Sequence, residues 1–229
     1  FYYYVKRFYI DGFGLDLEKA MLIDCKRIGI PRGLRIEDVF PDYSVDLSLR
    51  YRRPRTNLER LQKEVIERVD QWCEEYEARI RSLGGIGFFL GGIGPDGHIA
   101  FNIAGSSHCS TTRLTMTNYE TQAAAAVDLG GIEVAKKRAV ITIGLATITY
   151  NPNCVAIIIA AGDAKAKVVR DAIESEPSVN VPATALHRLP NARFYLTAGA
   201  AKLLTERRIR KLKQMGRLPF DVCEQLIVD

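Results

Sequence analysis

The sequence predicts an α/β fold, a doubly wound and mostly parallel sheet with helices on both faces. Three observations carry this. Short runs of strand length, Ile86-Gly-Phe-Phe-Leu, Arg138-Ala-Val-Ile-Thr-Ile, Val155-Ala-Ile-Ile-Ile-Ala and Arg193-Phe-Tyr-Leu-Thr, read as strands, the first of the type buried in a parallel sheet and the third as a buried strand. Helix-patterned segments alternate with them, which is the order that lays helices against a sheet. With 229 residues and 47% hydrophobic composition, the chain can bury one substantial core.

The first residues place Phe1, Tyr4, Val5, Phe8 and Tyr9 at helical spacing. An amphipathic helix already under way is expected there, and with it a preceding segment. Asp11-Gly-Phe-Gly marks a turn, and Pro31, Gly33, Pro41 and Pro54 predict irregular connection with one short helix from Gly29 to Arg55. Thr56-Asn-Leu-Glu59 has capping-box spacing. Leu58, Leu61, Val65, Val69, Trp72, Tyr76 and Ile80 then recur at threes and fours, predicting a long amphipathic helix that stops at Gly84-Gly85. Past the strand at 86–90, alanines predict a helix from Thr121 to Val127. Thr147 to Tyr150 reads as a short connection between the second and third strands. Helices are expected from Asp163 to Glu174 and from Thr184 to Arg188, and a basic one from Ala200 to Gln214. No repeat, linker or boundary interrupts this order, so residues 1–229 read as a single Rossmann-like α/β domain with a basic C-terminal helix and tail over 205–229.

A net charge of +5 and a pI near 8.9 fit acidic small ligands and a plain basic protein equally well. Cys25, Cys73, Cys109, Cys154 and Cys223 contain no Cys-x-x-Cys pair, so neither a disulfide framework nor a zinc site is indicated. No apolar run reaches the length of about eighteen residues that a membrane span needs. Phe1-Tyr-Tyr-Tyr-Val-Lys-Arg is too aromatic and too early charged for a signal peptide. A cytoplasmic protein with no membrane partner is expected. The basic runs Arg50-Tyr-Arg-Arg-Pro-Arg55 and Arg207-Arg-Ile-Arg-Lys-Leu-Lys213 read as solvated faces rather than nucleic-acid surfaces.

The chemistry concentrates in Gly91-Gly-Ile-Gly-Pro-Asp-Gly-His98. This segment directly follows the first strand, at the end of an α/β sheet where ligands bind. Gly92-x-Gly94-x-x-Gly97 formally matches a dinucleotide fingerprint. That motif needs a helix to open through it, and His98-Ile-Ala-Phe-Asn-Ile-Ala-Gly is not a helical continuation, so a nicotinamide site is rejected. The residues alone leave two readings: a tight structural turn whose His98 caps backbone groups, or an acid/base pair of Asp96 and His98. Lys165 in Gly162-Asp-Ala-Lys likewise reads either as a solvated lysine or as an anion ligand at a helix start.

Leu90-Gly-Gly-Ile-Gly-Pro-Asp-Gly-His-Ile-Ala-Phe-Asn102 resembles the signature of the glucosamine-6-phosphate deaminase/isomerase family, including the Phe-Asn that separates it from the 6-phosphogluconolactonases. Gly105-Ser-Ser107, Thr111-Thr-Arg113, Gly144, Gly162-Asp-Ala-Lys165 and Val181-Pro-Ala-Thr-Ala-Leu-His-Arg-Leu-Pro-Asn191 are similar to further family segments. The resemblance implies an isomerase-type α/β fold and conversion of glucosamine 6-phosphate to fructose 6-phosphate and ammonia, by ring opening and proton transfer between C1 and C2. It places Asp96 and His98 in catalysis, and Gly92, Gly94, Gly97, Asn102 and Lys165 on substrate and phosphate. Ser106, Ser107 and Arg113 match an allosteric sugar-phosphate pocket. No cofactor and no metal are implied, and a homo-oligomer acting on a phosphorylated amino sugar is expected.

The chain departs from the family pattern at several points. Ile103 stands where the family has a glutamate that assists the histidine. Thr115 replaces a lysine of the allosteric pocket. Leu114 to Ala135 holds no arginine or lysine, with Val127 near the position of a phosphate arginine. The family's phosphate loop and the aspartate that removes the C2 proton belong to a segment preceding Phe1. Two further readings therefore stand beside deamination: a sugar-phosphate sensor without turnover, and an isomerase for another sugar phosphate.

Overall fold

The computed structural model describes residues 2–117 and 138–205. The expected helix at Thr121 to Val127, the position of Val127, and the basic C-terminal helix and tail beyond 205 lie outside the described residues. The chain divides into two units, one ending at Trp72 and one starting at Cys73.

In the first unit, α1 (Tyr2–Tyr4) continues as a π-helix over Val5–Asp11, and Ile10 is the buried residue of that stretch. Tyr3, Tyr4, Phe8 and Tyr9 face outward, with Tyr4 and Phe8 stacked at 6.0 Å between centroids. The expected apolar stripe is therefore not sealed. The wider i→i+5 winding of the π-helix carries residues spaced at threes and fours off a common face. A short helix, α2 (Ile36–Val39), and the 3-10 turns Pro41–Tyr43 and Leu47–Arg50 make up the irregular connection that the prolines predict.

The long helix α3 (Asn57–Ser82) starts at Thr56, whose Oγ1 accepts the Glu59 N–H at 3.0 Å. In this unit its Val65, Ile66 and Val69 are buried, as are Val39 and Leu49, although Leu58 is exposed. Gln62 and Lys63 donate to the Val39 and Leu49 carbonyls at 2.9 and 2.8 Å. Two arginines of the first basic run are engaged by acids. Arg50 bonds Asp70 through Nε and Nη2 at 2.7 and 2.6 Å, and Arg52 reaches both Asp46 and Glu59 at 2.7 Å.

In the second unit, α3 ends at Gly84 and Gly85, both with positive φ, and Gly85 N donates to Ile80 O at 3.0 Å. Strand β1 (Phe88–Gly92) follows, and β4 (Val155–Ala160) and β5 (Ala192–Leu196) complete a parallel sheet in the order β1-β4-β5. The register pairs Leu90 with Ile157, and Ile158 with Phe194. Helix α5 (Ala166–Glu174), preceded by a 3-10 turn at Asp163–Lys165, and the 3-10 segment Pro182–Arg188 share one core with the inward residues of β4 and β5. That core holds Ala156, Ile158, Val169, Ala172, Leu186 and Phe194. At about 25 cal/mol per Å² of apolar surface, it is the main source of the unit's stability.

The opposite sides of β1 and β4 show Phe88, Leu90, Val155 and Ile159 exposed, so these strands alternate where their sequences predict burial on both faces.

Two elements were not legible. Strand β2 (Arg113–Met116) pairs antiparallel with β3 (Ala139–Thr142), Arg113 opposite Thr142. Helix α4 (Leu145–Thr149) occupies part of the stretch read as a connection. Its threonines and isoleucine are weak helix formers, and burial of Leu145, Thr147 and Ile148 holds it instead. The last helix among the described residues is α6 (Ala198–Ala201). Among the described residues, no helix is long and apolar enough to cross a membrane.

Candidate active site

The loop after β1 folds back on itself through a Gly94 N to His98 O hydrogen bond of 2.9 Å and a Gly97 N to Gly94 O bond of 3.1 Å. Its glycines have distinct duties. A methyl group at Gly94 would collide with the His98 imidazole, so the bare backbone there is the floor on which the ring lies. Gly97 sits at φ +80 with Val181 Cγ1 2.8 Å from where its Cβ would stand. Its carbonyl accepts the Ala183 N–H at 2.9 Å, docking the 181–188 segment beneath the loop. Gly92 ends β1 opposite Ile159.

His98 Nδ1 and Asp96 Oδ1 are 2.6 Å apart, with side-chain exposures of 16% and 17%. A carboxylate at Nδ1 selects the tautomer with its proton there, which leaves Nε2 as a lone-pair acceptor. No described residue engages Nε2. Asp96 Oδ2 accepts the Ala104 N–H at 3.0 Å. Burial pushes Asp96 up, but the hydrogen bonds from Ala104 and His98, together with the imidazole's charge, outweigh it and hold the carboxyl below its ordinary value.

Lys165, at the start of α5, donates from Nζ to Ile93 O at 2.7 Å, so its ammonium meets the same loop one residue before Gly94. Burial lowers its basicity, opposed by the Asp96 charge. Lys165, Asp96 and His98 thus meet at one loop.

Asn102 plays an inward part. It is fully buried, and its amide donates to Ile99 O at 3.0 Å and Ile143 O at 2.9 Å. Its Oδ1 accepts from Arg113 Nη1 at 2.8 Å and Ser110 Oγ at 3.4 Å. In this structure its polar atoms tie the loop to the protein rather than face a ligand. Arg113 also reaches Ser106 Oγ at 3.4 Å, whereas Ser107 Oγ accepts the Cys109 N–H at 3.1 Å. Burial depresses the Arg113 guanidinium, and no carboxylate among the described residues pairs with it. Ile103 is half-buried and gives its carbonyl to Ser106 N at 2.9 Å. Among the described residues, no cluster of three or more His, Cys, Asp or Glu could hold a metal ion.

No protein-family profile matches the chain. Individual relatives do. A glucosamine-6-phosphate deaminase of Borreliella afzelii is 42% identical over 106 residues, 46% of this chain and 39% of the relative. One of Caenorhabditis elegans is 42% identical over 118 residues, 51% of this chain and 43% of the relative. A solved structure described as a monomeric glucosamine-6-phosphate deaminase of the NagB superfamily superposes with a TM-score of 0.53 at 33% identity, covering 59% of this chain and 55% of that one. Over its matched segment, the chain is similar to glucosamine-6-phosphate deaminases. The match spans half or less of the length of these curated relatives.

One buried acid lies outside the residues that the sequence singles out. Glu77 of α3 accepts hydrogen bonds from Thr112, Thr147 and Arg81. Burial pushes its carboxyl up, and the bonds from Thr147, Thr112 and Arg81 more than offset this, leaving it below the ordinary value. The signal was present. Val69, Cys73 and Glu77 lie four apart, which places a carboxylate on the buried stripe of the helix.

Proposed function

We propose that this chain carries the acid–base and phosphate-contacting part of a sugar-phosphate deaminase site that converts glucosamine 6-phosphate to fructose 6-phosphate and ammonia. The observation that carries the reading is the 2.6 Å bond between His98 Nδ1 and Asp96, which leaves Nε2 as the unengaged proton acceptor. In ring opening the C1–O5 bond breaks, O5 gains a proton and the C1 hydroxyl loses one. An imidazole that accepts at Nε2 can take up and return that proton, while Asp96 holds the tautomer and stabilises the cation. A proton then moves from C2 to C1, the C2 amine passes through an enamine to an imine, and water replaces it as a ketone, releasing ammonia. The base for the C2 proton is not assigned to any residue of this chain. Lys165 supplies a cation for the substrate phosphate beside the N-terminal turn of α5.

Ile103 supports a second reading, a sensor that binds the sugar phosphate without turning it over, because an isoleucine cannot relay a proton. One pair of measurements separates the two. Ammonia and fructose 6-phosphate release from glucosamine 6-phosphate, abolished in His98→Ala, supports the enzyme. Calorimetric binding of the sugar phosphate with no ammonia released overturns the enzyme and supports the sensor.

A further inference from the structure

Glu77 lies outside the loop that carries Asp96 and His98, yet its carboxylate joins the segments that frame it. The Glu77 side chain is 9% exposed. Its Oε2 accepts from Thr112 N at 3.2 Å, Thr112 Oγ1 at 2.9 Å and Thr147 Oγ1 at 2.7 Å, and its Oε1 accepts from Arg81 Nε at 3.0 Å. A carboxylate withdrawn from water needs such donors, and removing one side of the set leaves buried groups unpaired. The Thr147 hydroxyl in turn accepts the Gly144 N–H at 3.0 Å.

The sequence positions of these contacts give them their meaning. Arg113 follows Thr112, and Ile143 precedes Gly144. Arg113 and Ile143 are the two partners that hold Asn102 from β2 and from the end of β3, at 2.8 and 2.9 Å. Asn102 closes the segment that leaves His98, through its own N–H and its Nδ2, both on Ile99 O at 3.0 Å. One carboxylate on α3 therefore pins the neighbour of each anchor of Asn102. Gly144 has no room to drift from this arrangement, because a side chain there would run into the Ser110 backbone.

We infer that Glu77 is a positioning residue for His98: by clamping Thr112 and the turn from Gly144 to Thr147, it sets both anchors of Asn102 and so the backbone path that aims the imidazole at Asp96. Only the catalytic consequence of this inference rests on the function proposed above; the geometry does not. A carboxylate suits the place because every group facing it is a donor. Glutamine has the same shape but turns two N–H groups toward donors, so one side of the clamp opens.

The test uses the low-field Nδ1–H resonance of His98 in the intact protein, assigned by its loss in Asp96→Asn. Glu77→Gln is expected to abolish or shift that resonance. Phe194→Leu, a sheet-core substitution chosen for an equal loss of Tm, should leave it in place. Thr147→Val, which removes the hydroxyl that joins Glu77 to Gly144 and leaves the Thr112 side intact, should shift it in the same direction and serves if Glu77→Gln does not fold. Retention of the resonance in whichever of these clamp variants folds, or the same change in Phe194→Leu, overturns the inference and leaves Glu77 a stabilising residue only. The readout needs no substrate, so a chain that releases no ammonia but still couples residue 77 to His98 refutes the deaminase and keeps the positioning role.

Discussion

Replacing Gly94 by alanine probes the imidazole's seat directly. Gly94 lies outside the left-handed region, so its backbone tolerates a side chain, and the whole effect comes from what the new methyl meets. It meets the His98 ring at Cε1, Nδ1 and Nε2, and the ring must swing away. Swinging away breaks the 2.6 Å bond to a carboxylate that is only 17% exposed, so solvent does not replace the bond fully. A hydrogen bond to a charged group contributes about 1.5–3 kcal/mol. Holding the histidine off a favoured rotamer adds about 0.5–1.5 kcal/mol. The sum predicts a destabilisation of about 2–4.5 kcal/mol, read as a lowered urea midpoint at constant m. Placed in a His98→Ala background, the same methyl finds space, and its cost should fall to within about 0.5 kcal/mol of zero, which makes the double-mutant coupling nearly as large as the single effect. A Gly94→Ala protein that loses less than about 0.5 kcal/mol, or whose loss is unchanged without His98, would show that the ring does not lie on this glycine.

The remaining predictions concern charge. Asp96 has a lowered carboxyl pKa, so its contribution to stability is complete above the ordinary value of 3.8 and is lost as pH falls through its lower folded value. Asp96→Asn should therefore flatten the acid limb of a stability–pH curve below about pH 4 and lower turnover by about 10²–10⁴-fold; an unchanged acid limb would contradict the assigned bonds. Lys165→Met should weaken binding of glucosamine 6-phosphate by roughly 10- to 150-fold, the worth of a charged hydrogen bond, and leave unphosphorylated glucosamine unaffected in the same calorimeter. Equal losses for both sugars would remove Lys165 from the phosphate.

Legibility followed pattern length. Strand β4 is a continuous apolar run and α3 repeats its apolar residues over seven turns' worth of sequence, so both could be read from neighbours alone. Strand β2 spans four residues and takes its partner from beyond residue 137, and α4 is a turn of β-branched residues held by tertiary burial. Neither has a local signal strong enough to find. The same contrast holds in the site. Asp96 and His98 are two residues apart inside a glycine-rich turn, which exposes them to reading. Glu77 meets Thr112 and Thr147 only after folding, at separations of 35 and 70 residues, and only its place on an apolar stripe marks it beforehand. Asn102 comes to the substrate only through the resemblance; in this structure it is buried and makes four internal bonds.

Under the proposed function, the neutral side chain at Ile103 bears differently on capture of the sugar phosphate and on proton transfer. Asp96 and Lys165 both meet the loop carrying His98. Beside them, a protonated imidazole adds positive charge that favours a phosphate dianion, and a second carboxylate would oppose it. A glutamate at 103 would add a negative charge to the segment that follows Asn102, and isoleucine adds none. Under the proposed function, capture of a sugar phosphate draws on Lys165, and the ring-opening proton transfer draws on the pair of Asp96 and His98. The orientation of that imidazole then bears directly on the proposed chemistry, and Gly94 under the ring and the bonds of Asn102 and Glu77 are the contacts through which it is tested.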